Sequence, residues 1–186
     1  MEIQGEYLIA SPRERVWDAL NDVDTLKECI PGCESLERVS EEELKAVVMA
    51  AIGPVKARFN TRITLENLEP PSSYTMVGES KGGAAGFGRG SATVTLTERD
   101  GSTELHYSAN FKVGGKLAQV GSRLVVGATR KLADDFFGSF SRKLDAGAHR
   151  VGEAAAPGPK GGLSARTWMA VAGALLLLLI WWFLLR

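Results

Sequence analysis

Two cysteines, two histidines and no surplus of either charge remove several kinds of protein from consideration. Cys29 and Cys33 stand in a C-x3-C spacing, and a zinc site would need two further ligands; His106 and His149 lie far off in the chain. Both cysteines read as reduced, small packing residues, and no metal site is expected. Residues 1–150 hold 19 Lys and Arg against 21 Asp and Glu, while residues 151–186 hold Lys160, Arg166 and Arg186 against Glu153. That balance lacks the basic stripe nucleic acid demands, so no nucleic-acid partner is expected. The opening MEIQGE lacks the charged-then-apolar run of a signal peptide.

Nucleotide and catalytic signatures are missing as well. The glycine run at 82, 83, 86, 88 and 90 invites a phosphate-loop reading, but meets neither the P-loop nor the Rossmann spacing, and no helix follows. Its alternatives are two: small residues that let strands bend sharply, or room for a bulky ligand to approach the backbone. No Ser/His/Asp, Cys/His or paired-carboxylate set emerges. His106 falls on the polar face of its predicted strand, and Glu79 with Lys81 forms at most a surface ion pair. An enzyme is not expected.

What the chain does have is an apolar tail. Residues 168–185 carry no charge and lie between Arg166 and Arg186. As a helix they would extend ~27 Å, close to the ~30 Å hydrocarbon core of a bilayer. Trp168 at one end and Trp181 and Trp182 at the other suit the two membrane interfaces. The tail predicts a single-pass C-terminal transmembrane anchor over 167–186, with the domain before it on the cytoplasmic face of the cell membrane. Residues 147–166, rich in Gly, Ala and Pro, read as a flexible linker, leaving one domain over 1–146.

Within that domain the periodicity changes twice. Ile3, Tyr7 and Ile9 are spaced for one face of a strand. Ser11-Pro12-Arg13-Glu14 reads as a helix start, with Ser11 as N-cap, Pro12 at the first helical position and Glu14 closing a capping box. Val16, Trp17 and Leu20 continue it, and a second short helix over 24–29 stops at Pro31-Gly32. From about Glu34 to Val113 apolar and polar residues alternate in runs separated by Gly, Pro, Asp and Ser, which predicts an antiparallel meander with one apolar face. After Gly114-Gly115, Leu117, Val120, Leu124, Ala128, Leu132, Phe136, Phe140 and Leu144 recur at three- and four-residue spacing. They predict one amphipathic helix of roughly thirty residues that lids the concave side of a curled sheet. Gly121 reads as a point of close helix–sheet contact, and Lys116 and Gln119 as neighbours of an adjustable cavity mouth.

Four blocks carry a family resemblance: Cys29 to Glu34 (CIPGCE), Ile52 to Phe59 (IGPVKARF), Lys81 to Phe87 (KGGAAGF), and Gly114 to Gln119 (GGKLAQ) followed by Gly121 to Leu124 (GSRL). In that order they resemble the carbon monoxide dehydrogenase CoxG family, of the START/Bet v 1-like superfamily. The resemblance implies an α+β helix-grip fold, with a curled antiparallel sheet around a long C-terminal helix and a cavity between them. It also implies an accessory role beside a molybdenum hydroxylase such as carbon monoxide dehydrogenase: recruiting that partner to the membrane and supplying it with quinone, menaquinone or ubiquinone.

Expected to line the cavity are Phe59, Met76, Tyr107, Ala109, Phe111, Leu117, Val120 and Leu124, with Phe87 as an exposed-loop aromatic that touches ligand or membrane. The same residues would also serve to close a dry core. Two functions follow: a membrane-tethered carrier of an apolar small molecule, or a docking and assembly factor that anchors the dehydrogenase without cargo. Titratable side chains facing the cavity would instead revive an enzyme of the polyketide cyclase kind.

Overall fold

The computed structural model describes residues 1–153, with side chains to Asp145. The linker expected over 147–166 falls largely, and the anchor over 167–186 with Trp168, Trp181 and Trp182 entirely, outside the described residues. Among the described residues no helix is long and apolar enough to cross a membrane.

The alternating segments form seven strands: β1 (Glu2–Ile9), β2 (Cys33–Arg38), β3 (Glu43–Ile52), β4 (Val55–Glu69), β5 (Ser73–Lys81), β6 (Phe87–Arg99) and β7 (Ser102–Gly114). They make one antiparallel sheet in the order β1-β7-β6-β5-β4-β3-β2. Strands β2 to β7 pair with their sequence neighbours through short turns, and β1 closes the far edge on β7. In β4, Phe59 and Leu65 are buried while Lys56, Arg58, Asn60 and Arg62 lie on the more open face, the signature of a sheet covered on one side only.

Two short helices, α1 (Arg13–Asn21) and α2 (Val23–Cys29), fill the step from β1 to β2. The expected capping box at Ser11 does not form. Pro12 keeps an extended ψ of 150° and takes the N-cap position with no side-chain bond. The helix therefore starts at Arg13, and Glu14 sits one position too early to reach back. Ser11 turns inward, and its carbonyl accepts a 2.7 Å bond from the buried Thr103 hydroxyl, tying the end of β1 to β7. α2 has a true cap: the Asp22 carboxylate accepts from the Thr25 amide at 2.8 Å, which holds its pKa below the ordinary value.

The single lid helix is a finding against expectation. A four-residue helix α3 (Lys116–Gln119) is followed by a break, and α4 runs from Ser122 to Glu153, past residue 146. Gly121 makes the break: its φ is +96°, and a Cβ there would meet nothing within 4 Å. It is a chain reversal rather than a close-packing glycine. The break resets the helical phase. Val125, Phe137, Phe140 and Leu144 turn inward, and Leu124, expected inside, is 57% exposed.

Under the C-terminal half of α4 the core is closed. Phe140, Ile9, Leu105 and Val16 are fully buried there, each contributing ~1.5–3 kcal/mol by leaving water. Tyr7, Tyr107 and Phe137 stack, with Phe137 4.3 Å from Tyr7 and 5.8 Å from Tyr107 between ring centres. The Tyr7 hydroxyl donates to Asp134 of α4 at 2.6 Å. Burial and that carboxylate both push its pKa up, and burial raises Tyr107 as well.

Candidate functional site

The strand registers set rows of facing side chains across the concave side, and the rows differ in bulk. Nearest the β4–β5 and β6–β7 turns they read Leu96–Leu105–Tyr7 and Tyr74–Val94–Tyr107, with Gly5 making room for the Tyr107 ring. The next row is Leu65–Met76–Ala92–Ala109–Ile3. Beyond it come Leu44–Ile63–Gly78–Gly90–Phe111 and Ala46–Thr61–Ser80–Gly88–Val113. Side-chain volume thus falls away along the sheet. α4 cannot follow it down, because its far half is held up by Phe137 and Phe140, so space remains beneath its first turns.

That space is two adjoining cavities. One, of about 280 Å³, lies between β3, β4 and β7 and the α3–α4 break; Ile52, Phe59, Phe111, Val113, Leu117 and Val125 enclose it. The other, about 320 Å³, runs on over Met76, Gly78, Gly90 and Ala109. Ser80, Gly88, Phe111 and Thr129 line both. Beyond the first cavity a small second core of Phe59, Ala85 and Leu117 closes the sheet's other end. The void therefore separates two packed clusters.

No acid, base or thiol lines the first cavity, and the second adds only the exposed Arg89. The polar side chains in the first are hydroxyls. Thr61 Oγ1 and Ser80 Oγ lie 2.7 Å apart, cross-strand neighbours on β4 and β5. One of the pair donates to the other, so the acceptor's own proton remains to be donated elsewhere. Thr129 spends its donor on the Val125 carbonyl at 2.9 Å. The lining is an apolar sleeve with one hydroxyl pair in its wall.

Of the residues expected from sequence, Phe59, Phe111 and Leu117 line the first cavity, and Met76, Ala109 and Phe111 the second. Tyr107 does not; it is buried in the closed core against Phe137. Val120 and Leu124 lie outside, beside the β3–β4 turn, where a Cβ on Gly53 would reach both. Phe87 is 42% exposed and lies across Gly114. Sequence reasoning missed Thr61, Ser80, Gly88, Val125 and Thr129. The first three carry a signal, small residues at inward positions of neighbouring strands, but only the register shows that they adjoin.

The glycines of the 82–90 run serve both roles weighed for them. Gly82 leaves room for the Phe59 ring and Gly90 for Phe111, while Gly86, at φ +111°, lets the β5–β6 turn press against the Gly114 backbone. Cys29 is buried and Cys33 half-buried, both free, and burial raises both thiols above the ordinary value. Among the described residues no cluster of His, Cys, Asp and Glu could hold a metal ion.

Solved structures share this architecture. A conserved protein from Geobacillus kaustophilus matches at 31% identity and TM-score 0.74, over 78% of this chain and 96% of that one. A START superfamily protein from Mycobacterium smegmatis matches at 10% identity and TM-score 0.62, over 78% and 97%. An aromatase/cyclase, ZhuI of Streptomyces sp. R1128, matches at 12% and 0.59, over 78% and 93%. At those lower identities the likeness is one of fold alone. No curated protein matches the chain. The family model for the carbon monoxide dehydrogenase CoxG subunit matches residues 5–145, the whole sheet together with α4 as far as its last buried turn, and with that the START-like chain described here belongs to the CoxG family.

Proposed function

We propose that this chain is a ligand-binding accessory protein that carries an apolar, carbonyl-bearing molecule, a quinone, and supplies it at the membrane to a carbon monoxide dehydrogenase-type molybdenum hydroxylase. The observation that carries the reading is the two-part cavity, apolar but for the Thr61–Ser80 pair. A quinone ring buries apolar faces and needs a donor for each carbonyl oxygen; the uncommitted hydroxyl proton is such a donor. At ~30 Å³ for each water-sized group, the two joined cavities hold on the order of twenty non-hydrogen atoms. That is enough for the ring and its first isoprene units, so a long tail would trail outside. The volume falls in the ~300–1,000 Å³ range of small-molecule sites.

The family name supports a dehydrogenase as the partner. The uncharged tail at 168–185 supports a transmembrane anchor, with the domain on the cytoplasmic face. A sleeve without acid–base side chains favours sheltering a molecule over transforming it.

The full-length protein, purified from a quinone-producing bacterium, is to be examined by native mass spectrometry with organic extraction. One quinone per chain is expected. Ala109→Trp and Val125→Trp, which fill the two cavities, should remove it while the protein stays folded by circular dichroism. Wild type without quinone, and unable to take it up from liposomes, overturns the carrier reading and leaves an anchoring factor without cargo.

A further inference from the structure

The chain is neutral overall, yet its charges are sorted along the sheet. The β3–β4 turn, the β5–β6 turn, the β7–α3 turn and the start of α4 share one end; the β2–β3, β4–β5 and β6–β7 turns share the other. The first end, beside the cavity, exposes Lys56, Arg89, Lys112, Lys116 and Arg123. None of the five is in an ion pair among the described residues. The opposite end exposes Glu41, Glu42, Glu66, Glu69, Glu98 and Asp100. A net charge of zero thus conceals a basic pole and an acidic pole.

At the basic pole the helix break brings out apolar side chains among the cations. Leu124 and Phe87 are exposed, and half-buried Val120 lies between Leu124 and the β3–β4 turn. The acidic pole also exposes Val39 and Leu68, so apolar exposure alone does not choose an end. Charge does: an anionic surface attracts one pole and repels the other. Cations ringing exposed aliphatic and aromatic groups match the boundary between phosphate headgroups and acyl chains, where each kind of group has a place to go.

We propose that the folded domain docks by this basic pole on an anionic phospholipid bilayer, with Leu124 and Phe87 entering the headgroup–acyl boundary and the Gly121 break turned to the lipid. The docking stands on charge and exposure by themselves. Where the carrier reading of the cavity also holds, the same pose sets the cavity's α3–α4 wall against the membrane, on the side from which a trailing tail would emerge.

The test uses the full chain in vesicles of phosphatidylcholine, with and without phosphatidylglycerol. Spin labels at Leu124→Cys and Asp100→Cys report collision with a water-soluble nickel chelate and with membrane-dissolved oxygen. With phosphatidylglycerol present, the Leu124 label is expected to lose its nickel collisions and gain oxygen collisions, while the Asp100 label keeps its nickel collisions. The protection should vanish in high salt, in vesicles without phosphatidylglycerol, and when the five cations are changed to Gln, a change that leaves all other side chains in place. A Leu124 label as wet as Asp100 on anionic vesicles overturns the proposal. So does equal protection without phosphatidylglycerol, or protection that arises only when an acidic partner protein is added. Quinone content, read on the same samples, separates the two ideas: an empty protein with a protected Leu124 label sinks the carrier and leaves the docking.

Discussion

The two halves of the sheet–helix interior share the same strands and the same α4, yet one is closed and the other hollow. Under the C-terminal half of α4, Tyr7, Tyr107, Phe137 and Phe140 form a cluster of rings with Phe136, and Leu96 and Leu105 close the floor. Under its first turns the facing rows carry Gly78, Gly88, Gly90, Ser80 and Thr61, and the space is left over. Architecture does not decide which half binds; side-chain bulk, row by row, does. The aromatic half serves as the strut that keeps the helix off the small-residue half.

The strut is the place to break this comparison. Phe140→Ala should cost ~3–5 kcal/mol, because a fully buried ring would leave a cavity that no neighbour fills; the midpoint of denaturant unfolding reports it. A matched pair sharpens the contrast. Leu105→Ala in the closed half should cost ~4–5 kcal/mol and Leu117→Ala, beside existing space, ~2–3 kcal/mol, since fewer packing atoms surround it. Equal losses would show that the two halves are packed alike.

Smaller effects probe the joints. Gly121→Ala should cost ~1–2 kcal/mol, for want of the positive φ at the break rather than of space, and should show as a lower melting temperature. Asp22→Ala, on the closed side, should cost ~1 kcal/mol through loss of the α2 cap. The sign of its pH dependence follows from the lowered pKa. The folded carboxyl titrates below the unfolded one, so the cap's contribution is whole above the unfolded value of ~3.9 and is lost as pH falls through the folded value. Wild type and variant should therefore differ by a constant amount near neutral pH and converge in acid.

Much of this was legible in the chain. Alternation over 34–113 located the meander and its inward face, because a pleated strand half-covered by a helix imposes a period of two wherever it lies. The four sequence blocks pointed to the CoxG family and with it to the helix-grip arrangement. The site was only half legible. Phe59, Met76, Ala109, Phe111 and Leu117 line the cavities, but Tyr107 was assigned to a space it fills, and Leu124 to a face from which Gly121 turns it away. Ser11 looked like a helix cap and became a buried strand-end residue, since an extended ψ at Pro12 moved the helix start by one position.

The sequence by itself determined the elements, their inward faces and the family, all of which rest on local periodicity and short motifs. Tertiary structure alone decided where space remains, which hydroxyls face each other across it, and that a neutral chain has a basic and an acidic pole. Those depend on register and on which turns share an end of the sheet, and residues such as Thr61, Ser80 and Thr129 become neighbours only when strands pair and a helix crosses them.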